Sequence, residues 1–284
     1  MKVLTDRELE ALVTLLGDED RRTARIAREH LIGAGERALP FLAEGARAGD
    51  PLIRGRARLL LEELRQADLE SRFAAFGARS DADLDLEEGA ILVARIGNPD
   101  VDPTGVSAAL DQLADGVRDR VPLDMPAADR VQILGRYLGA EVGLRAGGVE
   151  EPEHSFIDRV LERKVGVPIL LSTIYILVGR RLGIAIRGVG LPGHFIARAD
   201  LPTGVVYLDP AGGGRTWGRA DCFAYLRSVG IAPTDAYLRP TTVRRMVARM
   251  VANLISSLTQ RGEEPRAAQL HRLLDVLGTR DGGG

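Results

Sequence analysis

The sequence predicts a mostly helical α+β protein, and three observations carry that prediction. The run from Ile169 to Leu182 is apolar almost all round, as expected of a helix enclosed by its own domain. Two stretches after it, Ile186–Arg198 and Val205–Pro210, are rich in β-branched and apolar residues, and turn-forming residues separate them. Nearly all of the remaining chain places apolar residues at helical spacing, broken by Pro and Gly.

Residues 1–75 are helical and repetitive. Thr5 and Glu8 form a capping box ahead of Leu9, Leu12, Val13 and Leu16, and Gly17 closes that helix. Asp20, Ala27, Arg28 and Leu31 recur as Asp50, Ala57, Arg58 and Leu61, with Pro51 suited to a first helical turn. The pattern resembles HEAT-type units. It is compatible with a four-helix cap or with a protein-binding solenoid fragment. The arginines 21, 22, 25 and 28 read as a solvated face rather than a nucleic-acid patch.

From Asp81 to Leu144 the spacing predicts helices over Leu86–Ile96, Thr104–Val117 and Ala127–Leu144, followed by one over Phe156–Lys164. Arg145–Glu153 reads as an exposed loop. Pro168 then opens the buried helix, where its missing N–H costs nothing, and Gly183 ends it behind Arg180 and Arg181. Beyond the strands, Asp221–Val229 reads as a short helix. A long helix from Arg239-Pro240 to Thr259 carries Met246, Met250, Leu254 and Leu258 as one stripe, and Pro265–Leu277 pairs with it. Residues 236–281 thus form a helical hairpin that resembles a tetratricopeptide unit. The closing Gly282–Gly284 carries no element.

The two strands bring chemistry together. With Asp200–Thr203 as a four-residue loop, 198 faces 205, 196 faces 207, and His194 faces Asp209, with Cβ atoms about 4.5–5.5 Å apart. A carboxylate there accepts from one imidazole nitrogen and aims the other at a reacting group. The start of the buried helix, where a nucleophile gains most from the helix dipole, offers only Gly166, Val167 and Pro168.

The segments FIDRVLERKVGVPILLSTIYILVGRRLG, GVGLPGHFIAR and LDPAGGGR resemble the SirB-type branch of the transglutaminase-like superfamily. The similarity runs from about Leu86 to Asp275, strongest between Ser155 and Gly214, and places that domain at residues 81–235. The resemblance implies a papain-like core, a central helix packed on a small antiparallel sheet. It matches His194 and Asp209 to the family histidine and aspartate. Counting back from Gly183, it puts Pro168 where active members carry their cysteine. The branch's Asn-Ser-Phe stands here as His154-Ser155-Phe156.

Three side chains are candidate substitutes for that cysteine. Ser172 lies one turn after Pro168 on the same helix face; its structural alternative is a bond to a carbonyl one turn earlier. Thr173 is rotated away from that face. Cys222 opens a helix behind Asp221, where the dipole lowers a thiol pKa. Glu162, Arg163, Lys164 and His154 are candidate cleft-lining residues.

Two functions are therefore expected to compete. One is a non-catalytic module that binds a peptide or protein. The other is an amidase, protease or acyltransferase that uses His194 and Asp209 with Ser172 or water. Composition narrows the rest. A net charge of −2 gives no case for nucleic acid, and no charge-free apolar run approaches the roughly 20 residues of a membrane span. The opening residues do not read as a signal peptide, and one cysteine permits no internal disulfide, so a cytoplasmic location is expected. The four histidines (30, 154, 194 and 271) show no metal-binding spacing, and neither metal nor cofactor is expected.

Overall fold

The computed structural model describes residues 3–122 and 124–278, so Gly282–Gly284 lie outside the described residues. The chain divides into two compact units, Met1–Arg72 and Phe73–Gly284.

The first unit holds α1 (Asp6–Leu15), α2 (Arg21–Ala34), α3 (Leu39–Gly45) and most of α4 (Pro51–Gly77). The Thr5–Glu8 capping box is present in both directions. Three of the four recurring positions are alike, whereas Arg28 bonds to Glu63 and Arg58 to the Ala46 carbonyl. Asp20 accepts the Arg22 N–H at 3.0 Å and Asp50 the Leu52 N–H at 2.7 Å, while Ala27, Ala57, Leu31 and Leu61 are all buried. The arginines of α4 satisfy orphan carbonyls at helix ends: Arg56 donates to Leu16 and Asp18 after α1, and Arg58 to Ala46 after α3.

The second unit begins with α5 (Leu86–Gly97), α6 (Pro103–Arg118) and α7 (Ala127–Arg136), which runs on into a π-turn over Tyr137–Glu141. There follow β1 (Arg145–Ala146), α8 (Ile157–Arg163), β2 (Val165–Gly166) and α9 (Pro168–Arg181). The sheet strands are β3 (Ile186–Leu191), β4 (His194–Leu201), β5 (Gly204–Asp209) and β6 (Arg215–Trp217). The chain closes with α10 (Arg219–Ser228), α11 (Val243–Gln260) and α12 (Glu264–Val276).

Helix α9 is the axis of this unit. Every residue from Ile169 to Gly179 is buried, and each large apolar side chain among them contributes about 1.5–3 kcal/mol. Its C-terminus closes in a Schellman motif, with Ile184 N–H bonded to the Gly179 carbonyl and Gly183 N–H to that of Arg180. Arg180 then pairs with Asp85, and Arg181 with Glu87 and Asp111, tying α9 to α5 and α6.

The sheet is antiparallel in the order β3-β4-β5-β6, and it corrects the expected strands. The stretch 186–198 is not one strand. It turns at Pro192-Gly193, where Gly193 takes φ +71°, a value that favours glycine. The next turn is the two residues Pro202-Thr203 rather than four, so Leu201 faces Gly204 and Arg198 faces Tyr207, a register two residues from that expected. The segment 145–153 is not a free loop either. Strand β1 pairs with β2, and Ser257 of α11 donates to the Glu150 carbonyl.

Pleating sorts the sheet residues onto two faces. Ile186 and Phe195 share one, where Gly179 of α9 lets the Ile186 side chain approach. Val189, Leu191, Ile196 and Tyr207 share the other and pack on Cys222 and Leu226 of α10. On α11 the stripe of Met246, Met250, Leu254 and Leu258 is core, each at most 4% exposed. Arg244 draws the ends together, donating to the Gly77, Arg79 and Leu277 carbonyls and to Asp81. No helix among the described residues is long and apolar enough to cross a membrane.

Candidate functional site

His194 is the first residue of β4, directly after the Pro-Gly turn, and Asp209 is the last residue of β5. The two-residue shift of register makes them diagonal rather than directly opposed. Because the shift is even, both keep to the same face. His194 Nε2 lies 2.9 Å from Asp209 Oδ1, and that oxygen also accepts the Gly212 N–H at 3.0 Å. The Asp209 side chain is 5% exposed and that of His194 14%. In the neutral ring, a carboxylate on Nε2 makes that nitrogen the donor and leaves Nδ1 as acceptor. No protein group among the described residues bonds Nδ1.

None of the candidate nucleophiles meets this imidazole. Ser172 is fully buried, and its hydroxyl donates across to the Phe195 carbonyl at 3.2 Å, neither to His194 nor back along its own helix. Thr173 does bond back, to Ile169 at 2.8 Å. Phe195 lies on the α9 face of the sheet, whereas strand alternation turns His194 to the face covered by α10. Pro168 is the first residue of α9, behind a Val167 that is fully buried. Cys222 does not open its helix. Helix α10 starts at Arg219, with the Asp221 carboxylate accepting the Gly218 N–H, so Cys222 stands a turn inside it and is fully buried. Burial first, and the Asp221 charge next, push its thiol up to about 12, the reverse of the lowered value expected at a helix start.

The transglutaminase-like superfamily model matches residues 104–252, just over half of the chain and all of these elements. The chain belongs to the transglutaminase-like superfamily. Among its relatives, a UPF0162 protein of Xylella fastidiosa (strain Temecula1) is 32% identical over 203 residues, which cover 66% of this chain and 70% of that protein. A UPF0162 protein of Pseudomonas aeruginosa is 28% identical over 187 residues, 64% of this chain and 68% of the relative. Human F-box only protein 21 is 26% identical over 252 residues, 78% of this chain but 40% of its own length. No solved structure matches the chain.

Within this superfamily core the surroundings of His194 are aromatic. Its ring centroid lies 5.3 Å from that of Tyr225 and 5.9 Å from that of Trp217, with the planes tilted by 40° in both cases. The Tyr225 hydroxyl donates to the Pro192 carbonyl at 2.9 Å. From the other side Arg249 of α11 donates to the carbonyls of Leu191 and His194, its guanidinium 5.5 Å from the Phe195 ring centroid. The turn that carries His194 is thus gripped by two helices. Burial lowers the pKa of Arg249.

The other expected cleft residues bond to near neighbours in the chain. Glu162 pairs with Arg159, Arg163 with Glu153, and His154 Nδ1 with the Gly148 carbonyl at 2.9 Å. Lys164 ends α8 at φ +62°, its amine donates to the Leu161 carbonyl, and burial lowers its pKa. None of the four bonds to His194 or Asp209. No group of three or more His, Cys, Asp or Glu among the described residues is placed to hold a metal ion.

Trp217, Tyr225 and Arg249 are the site residues that sequence reasoning missed. Trp217 is the chain's one tryptophan and follows closely on the Gly-Gly-Gly-Arg turn, a usable signal. Arg249 lies on the methionine-stripe helix and has no local signal.

Proposed function

We propose that this chain is a non-catalytic, SirB-type member of the superfamily that binds a peptide or protein partner at the surface around His194, Trp217 and Tyr225. It needs no cofactor for this and acts in the cytoplasm. The observation that carries the reading is the Ser172 hydroxyl, fully buried and donating to the Phe195 carbonyl. Pro168 at the head of α9 and the buried Cys222 thiol support it too, since no candidate nucleophile among the described residues meets His194. What remains is a cluster of half-buried rings with polar edges, a composition favoured at recognition surfaces.

Selection of random peptides on the folded protein tests this. A motif enriched on the wild type and lost on Trp217→Ala is expected; no enrichment would retire the reading.

One observation favours a second reading. Asp209 holds Nε2 and leaves Nδ1 as an open acceptor, the arrangement a general base needs to activate water. With water as nucleophile the chain would be an amidase or protease without a covalent intermediate, and with an acceptor substrate in place of water an acyltransferase.

A further inference from the structure

The Asp209 carboxylate is held by more than its strand. The loop after it, Pro210–Gly214, folds back on its own start: Gly214 N–H bonds to the Asp209 carbonyl at 2.8 Å and Gly212 N–H to the carboxylate. Gly213 and Gly214 take φ +79° and +76°, which side chains disfavour. This loop lies backbone to backbone against α7 and its π-turn. A methyl group on Gly135 would overlap the Gly214 carbonyl oxygen, and one on Gly139 would overlap that of Gly213. The reverse holds as well, since a methyl on Gly214 would overlap the Gly135 carbonyl. Backbone carbonyls cannot rotate aside, so these contacts tolerate no added atom.

Gly135 and Gly139 are four residues apart and so share one helix face. The Val142 N–H to Tyr137 carbonyl bond, at 2.8 Å, marks the π-turn beside them. Such turns recur at functional sites. From α9 the Tyr175 hydroxyl comes within 3.4 Å of the Gly135 carbonyl. Burial raises its pKa, and the Asp209 charge raises it further.

We infer that α7 and its π-turn are the template that sets the Asp209 carboxylate, making Gly135 and Gly139 positioning residues for the His194–Asp209 pair. This rests on the view that the pair is the working part of the site. It does not depend on whether the site binds or hydrolyses.

The pair's own proton is the readout. In protein with 15N-labelled imidazoles, the His194 Nε2–H resonance is expected to be visible and slow to exchange, and absent from His194→Gln. In Gly135→Ala and Gly139→Ala it should vanish or exchange at least roughly tenfold faster. Gly179→Ala, which crowds Ile186 on α9, serves as a control for general loosening and should retain it. Retention in folded Gly135→Ala, equal loss in Gly179→Ala, or absence from the wild type would each overturn the inference. Should the glycine variants not fold, Tyr175→Phe takes their place. Several-fold faster exchange there supports the template, and unchanged exchange refutes it. Failed peptide selection with this resonance pattern intact would retire the function and leave the template standing.

Discussion

The head of α9 and the paired ends of β4 and β5 are where the resemblance puts the nucleophile and the orienting pair, and they are built on opposite principles. At the helix head, Val167 and Pro168 lead into an apolar interior, and the first hydroxyl inside it donates to a strand carbonyl. At the strand ends a polar pair is kept, the carboxylate held by His194 and the Gly212 N–H and the imidazole partly exposed with Nδ1 open. A buried carboxylate needs its donors whether or not any chemistry follows. Retention of the orienting pair is therefore compatible with absence of the attacking atom, and the superfamily fold alone does not imply catalysis.

Substitutions on the two sides should differ in kind. The largest effect is expected from His194→Ala, which leaves the Asp209 carboxylate buried with one backbone donor. Urea unfolding should register a loss of about 3 kcal/mol. A loss within experimental error would mean that the pair is not held as described. On the closed side, Ser172→Ala removes a buried donor and should cost about 1.5 kcal/mol while changing no reactivity. Loss of an activity in a variant of wild-type stability would reverse the comparison. Tyr225→Phe removes a half-exposed hydroxyl from the Pro192 carbonyl and should cost about 0.5 kcal/mol.

The Cys222 thiol should have no pH effect at neutrality and become visible only in alkali. Its folded pKa, about 12, lies above its ordinary 9.0. The stability it contributes is thus complete below pH 9.0 and is lost as pH rises towards about 12, because the unfolded chain releases the proton first. The stability difference between wild type and Cys222→Ala should shrink over that window. A difference independent of pH would place the thiol in contact with solvent.

Much of this was legible in the sequence, though unevenly. Helix α9 announced itself by uniform apolarity between Pro168 and Gly183, and α1 by the Thr5–Glu8 capping box, whereas Asp20 and Asp50 showed in the sequence only as recurring positions. The pairing of His194 with Asp209 survived a wrong turn length only because the error was an even number of residues. The Pro192-Gly193 turn carried a local signal that the apolar run around it masked. Ser172 had a face but no partner in the sequence, since helical spacing assigns directions and not acceptors. The grip of Arg249 on the turn, and the seating of the glycine loop on α7, join residues far apart in the chain and leave no local pattern.

The absence of a working nucleophile is tested most directly by acyl labelling. Wild type, Ser172→Ala and Cys222→Ala would each be treated with serine- and cysteine-directed acyl probes under native conditions and read by intact mass. No adduct is expected on any form. A stoichiometric adduct on the wild type, lost in Ser172→Ala or Cys222→Ala, would contradict the account.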